Sequence, residues 1–187
     1  LTVCLAVRRV LVRSSHRGTV VFLPSLLRGG AIYVHSGFDP LAVLQAIEHH
    51  RITCILLVPT MIYALLDHPR FDEFDLSSLE TIFYGASSMS VARLKEGIDK
   101  LGSVFFQFYG QAEAPMTISV LRNAEHDPEN PLRIARCGRP VPLLDATVVD
   151  DHRTEVPADH PGQTRERGPA GQTGAGGRRP VTAGALR

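Results

Sequence analysis

The chain of 187 residues has no tryptophan, only three cysteines and three methionines, and an aromatic share of 6%. Cys4, Cys54 and Cys137 lie far apart and follow neither a CxxC metal spacing nor a paired framework, so neither a disulfide-stapled scaffold nor a cysteine-bound zinc organises the fold, and a reducing cytoplasm is the expected compartment. No apolar run approaches the roughly 20 residues that a membrane-spanning helix needs. An excess of one charge is also missing. Twenty Lys plus Arg against nineteen Asp plus Glu leave +1, which gives no ground for a nucleic-acid partner. The opening LTVCLAVRRVLVR breaks its apolar residues with arginine and has no signal-peptide core or cleavage site. Arg8, Arg9, Arg13, Arg17 and Arg28 all precede Asp39, the first acidic residue, and residues 1–21 read as an atypical N-terminal segment. What remains is 44% hydrophobic and 21% charged, the make-up of a globular chain long enough to bury a core.

From residue 30 to about residue 151 the pattern is regular. AIYVHS (31–36) is a short apolar run ending in turn residues, and Asp39-Pro40 supplies an N-cap with proline at the first helical position. Val43, Leu44 and Ile47 then share one helix face. TCILLVPT (53–60) is a continuous apolar run, as expected of a parallel strand buried on both faces, and predicts a helix over 61–67 behind it. A third run, 81–84, leads into Gly85-Ala86-Ser87-Ser88. Ser90 then opens a helix in which Val91, Leu94, Ile98 and Leu101 step by three and four until Gly102. Residues 104–109 form a fourth strand candidate, and 117–121 and 146–149 shorter ones.

Strands alternating with helices of this length predict an α/β fold: an open, mostly parallel sheet flanked by helices, followed by short β-strands and a disordered tail. In such sheets ligands bind beyond the carboxyl ends of the strands, which directs attention to the loops at 85–88 and 110–113. The expected organisation is 1–21 atypical, 22–163 a domain, which the family resemblance described below implies to be partial, and 164–187 a Gly/Pro/Arg-rich disordered tail whose few large apolar side chains cannot offset its ordering entropy.

The chemistry concentrates in QFYGQAE (107–113). A strand delivers Tyr109 to the sheet edge, Gly110 allows close backbone approach, and Glu113 offers a carboxylate suited to a hard cation such as Mg²⁺. An aromatic ring, an amide and a carboxylate at one strand end make a nucleotide-like constellation. An ordinary strand-to-loop turn with a surface glutamate fits the same residues.

YGQAEA (109–114) closely resembles the YGxTE core motif of the adenylate-forming, AMP-binding superfamily of acyl-CoA synthetases, peptide-synthetase adenylation domains and luciferases. Further resemblances follow in the family's order: FLPSLLRGGAIYV (22–34) to its preceding helix and strand, VPT (58–60) to a strand-end VPT, YGASS (84–88) to the GGAP loop, and CGRPVP (137–142) to a GxPxP turn. The resemblance covers about residues 22–163 and is that of an internal part of an acyl-CoA synthetase, or fatty-acid-CoA ligase. It implies that Gly85, Ala86 and Ser87 line an adenine through backbone groups, that the Gln107 amide reaches the adenine amino group, and that Tyr109 packs on the ring. It further implies that Gly110 and Gln111 border the acyl carboxylate and the phosphate, that Glu113 holds Mg²⁺ and is catalytic, and that His16, eight residues before Pro24, flanks an acyl pocket. ATP, Mg²⁺ and coenzyme A are the implied cofactors and co-substrates, with a fatty or aromatic carboxylic acid as the small-molecule substrate.

Departures from the family pattern stand beside these matches. Ala112 replaces a threonine and Ser87 a proline, and the Lys-ending phosphate loop, the ribose-binding TGD aspartate and the C-terminal domain with its catalytic lysine find no counterpart. Two expectations follow: a ligase part that activates a carboxylic acid, or a catalytically inactive, truncated or frame-shifted remnant that at most binds adenine nucleotide weakly. An α/β hydrolase built on Ser87 or Ser88 lacks the GxSxG elbow, GQTGAGG (171–177) follows no strand and opens no helix, and the adjacent His49 and His50 read as solvated helix-end residues rather than metal ligands.

Overall fold

The computed structural model describes residues 9–13, 24–110, 118–142, 145–150, 152, 154–156, 163–167 and 173–174. The chain divides into two compact units, Leu1–Phe106 and Gln107–Arg187.

The first unit is a parallel sheet with helices between its strands. β1 (Arg9–Arg13), β2 (Ala31–His35), β3 (Cys54–Leu57), β4 (Thr81–Gly85) and β5 (Phe105–Tyr109) stand in the order β2-β1-β3-β4-β5, β5 running on into the second unit. β1 pairs parallel with β2, from Arg9 opposite Ala31 to Arg13 opposite His35, and on its other side with β3 through Val10 and Leu11. β3 in turn pairs parallel with β4, Cys54 opposite Thr81 through Leu57 opposite Tyr84. Residues 9–13, read from sequence as part of an atypical segment, thus form an interior strand. Their flanking arginines mask the three-residue apolar stretch Val10-Leu11-Val12, and Arg9 and Arg13 extend the pairing with β2 to five residues.

Helix α1 (Pro40–His50) begins where the capping residues predict: the Asp39 carboxylate accepts the Ala42 N–H at 2.8 Å, and Val43, Leu44, Ala46 and Ile47 form its buried face. It ends on Arg51 in the left-handed region, φ 48°. The Arg51 guanidinium donates to Asp75 at 2.5 Å, and the Glu48 carboxylate accepts the Asp75 N–H at 2.8 Å, which ties the helix end to the segment before β4. Bonds from Ser77 and Arg51 hold the exposed Asp75 carboxyl at about 2.

The apolar run at 53–60 is shorter as a strand than its composition indicates. Pro59 cannot continue the ladder and instead takes the first helical position of α2 (Pro59–Leu66), so β3 stops at Leu57. All of β4 is buried, and α3 (Val91–Leu101) lays Leu94, Gly97 and Ile98 against the core. A Cβ on Gly97 would lie 2.7 Å from the Phe105 ring, so the missing side chain is what lets β5 pack under the helix.

In the second unit the pairing turns antiparallel. Gln107, Phe108 and Tyr109 of β5 face Leu121, Val120 and Ser119 of β6 (Ser119–Leu121), and β6 pairs with β7 (Arg139–Pro140). Between them, α4 (Pro131–Ile134) is capped by the Asn130 side chain. A separate antiparallel sheet has the order β11-β10-β8-β9, from β8 (Asp145–Val149), β9 (Glu155–Val156), β10 (Gln163–Arg167) and β11 (Thr173–Gly174). Residues 164–167 of β10 and both residues of β11 fall within 164–187, the stretch read from composition as a tail. Pairing of β10 with β8 along all five residues satisfies its backbone groups, a non-local gain that composition does not register.

Among the described residues no helix is long and apolar enough to cross a membrane. Two predictions follow for the second unit. Gly138 sits at φ +85°, and a Cβ there would meet the Val120 carbonyl oxygen at 1.9 Å; Gly138→Ala is expected to lower unfolding stability by about 2 kcal/mol or more, read from urea denaturation. His126 is buried, its Nδ1–H donates to the Arg122 carbonyl at 2.8 Å, and burial depresses its pKa below the usual 6.5. Because the unfolded chain binds that proton more readily, stability is expected to be complete above about 6.5 and to fall as pH drops from there towards the folded value. His126→Gln should flatten that slope in denaturation curves between about pH 7 and 5.

Candidate nucleotide site

β4 is the rigid base of the first candidate loop. Its five residues Thr81, Ile82, Phe83, Tyr84 and Gly85 are all buried. Phe83 meets Phe106 edge-to-face at 5.3 Å between ring centroids, and Tyr84 meets Phe105 at 6.1 Å in the same manner. The side chains that alternate along β4 are therefore clamped on both faces, and the strand has no freedom to adjust at its carboxyl end. The chain leaves the sheet abruptly. Ala86 adopts φ 74°, a conformation costing a residue with a Cβ roughly 1–2 kcal/mol, and Ala86, Ser87 and Ser88 are exposed. Non-glycine backbone held in this region persists where the surrounding structure over-determines it, and such positions cluster at ligand sites.

The far end of the loop is held as well. Ser90, the N-cap residue of α3, makes no side-chain cap bond, but its backbone N–H donates to the Tyr63 hydroxyl of α2 at 2.8 Å. Arg93, one turn into α3, lies over the Tyr63 ring at 5.1 Å and donates to Asp67 at 2.7 Å, to Glu96 at 2.7 Å and to the Tyr63 carbonyl at 3.2 Å. The Asp67 bond, with Glu96 close by, raises the guanidinium pKa further. Sequence reading missed this clasp. Its available signal was the i, i+4 spacing of Tyr63 and Asp67 on one helix face, with Arg93 one turn after a helix start.

In the second unit, β5 carries Gln107, which is buried, and Tyr109, which is half-buried; Gly110, also half-buried, follows at the strand's carboxyl end. The Tyr109 carbonyl accepts the Ile118 N–H at 3.1 Å, so the chain returns to the sheet directly after the intervening segment. The CGRPVP turn belongs to the same sheet. The Ser119 hydroxyl donates to the Cys137 carbonyl at 2.8 Å, and Gly138 provides the positive φ that brings Arg139 and Pro140 alongside β6. Burial pushes the Cys137 thiol up, away from the thiolate a nucleophile needs.

The sequence-predicted residues therefore fall into three sets. Gly85, Ala86 and Ser87 share one loop at the end of β4. Gln107, Tyr109 and Gly110 share β5 and its exit. Gln111, Glu113 and His16 lie outside the described residues. His50 stacks on Tyr33 at 4.3 Å and His49 meets His50 edge-on at 4.7 Å; among the described residues no group of three or more His, Cys, Asp or Glu is placed to hold a metal ion. His50 is half-buried, against its reading as a solvated helix-end residue, because the Tyr33 ring covers it.

Comparison with known proteins agrees with this layout. The model of the AMP-binding enzyme family matches residues 15–174. A medium/long-chain-fatty-acid–CoA ligase, FadD8, of Mycobacterium tuberculosis is 44% identical over 155 residues, covering 83% of this chain and 27% of that protein. A feruloyl-CoA synthase of an Amycolatopsis species is 38% identical over 168 residues, covering 90% of this chain and 33% of its own length. Among solved structures, the amide bond synthetase McbA of Marinactinospora thermotolerans superposes with a TM-score of 0.78 at 30% identity, covering 91% of this chain and 34% of that one. The chain thus spans about a quarter to a third of the length of the relatives it resembles. With the family's pattern matched from residue 15 through β11, and the same mostly parallel α/β architecture in the solved relative, the chain belongs to the AMP-binding enzyme family.

Proposed function

We propose that this chain carries part of the nucleotide site of an AMP-forming carboxylate:CoA ligase, which joins a carboxylic acid to AMP with release of pyrophosphate and then transfers the acyl group to coenzyme A. The observation that carries this reading is the 85–88 loop: exposed backbone in a strained turn at Ala86, mounted on a strand buried along its whole length. Gly85, Ala86 and Ser87 present backbone donors and acceptors to the adenine, a task that needs a fixed main chain more than a particular side chain. In the second unit, Gln107 offers an amide for the adenine amino group, Tyr109 an aromatic face for the ring, and Gly110 close backbone approach for the phosphate and acyl carboxylate, with Gln111 beside it.

Glu113 is the proposed Mg²⁺ ligand. A carboxylate is the hard oxygen donor this cation takes, and bound Mg²⁺ supplies charge neutralisation on the phosphates during attack by the substrate carboxylate. His16 is assigned to the wall of the acyl pocket. The substrate class is a fatty or aromatic acid, in keeping with the fatty-acid and feruloyl ligases among the relatives. ATP and coenzyme A are the proposed co-substrates, and the cytoplasm is the proposed compartment, in keeping with the sparse, unpatterned cysteines.

Carboxylate-dependent ATP–pyrophosphate exchange, assayed over a panel of aliphatic and aromatic acids, tests the reading. Exchange with at least one acid is expected, and Glu113→Ala should reduce it about 100-fold or more. Exchange that survives intact in Glu113→Ala would remove Glu113 from the metal role, and nucleotide binding without exchange for any acid would make the chain a binding module.

A further inference from the structure

The five residues 86–90 connect the end of β4 to the start of α3, and each end is held by a different device. At the near end the buried strand and the left-handed Ala86 dictate the direction in which the chain leaves the sheet. At the far end the fixing group is not local. α3 has no side-chain N-cap, and the Ser90 N–H is instead taken by the Tyr63 hydroxyl, 27 residues earlier in the chain. Tyr63 itself has little freedom, because α2 is rooted by buried Pro59, Ile62, Leu65 and Leu66. Arg93 completes the clasp from the α3 side: stacked on the Tyr63 ring and bonded to its carbonyl and to Asp67, it holds the first turn of α3 against α2.

We propose that Tyr63, oriented by Arg93, is a positioning residue for nucleotide binding: its hydroxyl sets the conformation of residues 86–89 by fixing Ser90. It touches no reacting atom. Its effect is entropic, since a five-residue loop, exposed at all positions but the half-buried Met89 and anchored at both ends, gives up less freedom when a ligand orders it than one anchored at a single end. This inference rests on the proposed adenine-binding role of Gly85, Ala86 and Ser87.

The test compares the full chain with Tyr63→Phe, which deletes the hydroxyl and keeps the ring beneath Arg93. The probe is hexanoyl-sulfamoyl-adenosine, a hydrolysis-resistant acyl-adenylate analogue, titrated calorimetrically; amide hydrogen exchange is followed over residues 86–90. The expected result is a Kd weakened about three- to tenfold, faster exchange at Ser90 and its loop, and a Tm within about 3 °C of the parent, because the exposed Ser90 N–H can bond to water instead. Equal Kd values for parent and variant overturn the role of Tyr63 while leaving the nucleotide site intact. A parent chain that does not bind the analogue overturns the nucleotide-site reading itself. A Tm loss above about 6 °C, with exchange rising throughout α2 and α3, also overturns the inference, since the hydroxyl then supports the fold rather than the loop.

Discussion

Burial of β4 on both faces is the constraint from which the rest of the first unit follows. A strand with every residue out of water must satisfy its backbone within the sheet and cover its two rows of side chains, and β4 meets both demands through its pairing with β3 and through the two aromatic contacts to Phe105 and Phe106. Complete burial of Ile82 and Tyr84 alone is worth roughly 1.5–3 kcal/mol for each side chain. A strand so held cannot shift its register without breaking its pairing with β3 and both aromatic contacts, so its carboxyl end is a fixed point. The strain at Ala86 is tolerated because that point does not move.

The same logic explains why the loop after β4, rather than a helix or a strand, is suited to hold a ligand. Loops on rigid supports combine exposed backbone with little positional error, and in parallel sheets they gather beyond the carboxyl ends of the strands. The second support, the Tyr63–Ser90 bond with Arg93 behind it, comes from a neighbouring helix whose own start is set by Pro59. One proline therefore has two consequences. It ends β3 at Leu57, and it sets the helical phase that carries Tyr63 to the start of α3.

Much of the first unit was legible in the residues. The Asp39-Pro40 cap, the helix face of Val43, Leu44 and Ile47, the buried run through 81–84 and the Gly102 stop are local signals with local causes, and each appears where the pattern put it. The motif order around YGASS, YGQAEA and CGRPVP was enough to identify the family before any geometry was known. Less legible were elements whose stability is non-local. β1 carries an arginine at each end, and β10 has the sequence QTRER, so neither has the composition of a strand. Each is a strand because a partner at the right register supplies hydrogen bonds that composition cannot anticipate.

By itself the sequence determined the alternation of strands and helices through the first unit, the start of α1, the stop of α3 and the family, because these depend on residue periodicity, caps and short motifs read within a few positions. Only the tertiary structure decided that residues 9–13 run between β2 and β3, that Ala86 turns into the left-handed region, and that a tyrosine hydroxyl from α2 accepts the Ser90 N–H at the start of α3. Each of these depends on groups brought together from separate parts of the chain, and the energy that selects them exists only once those parts are in contact.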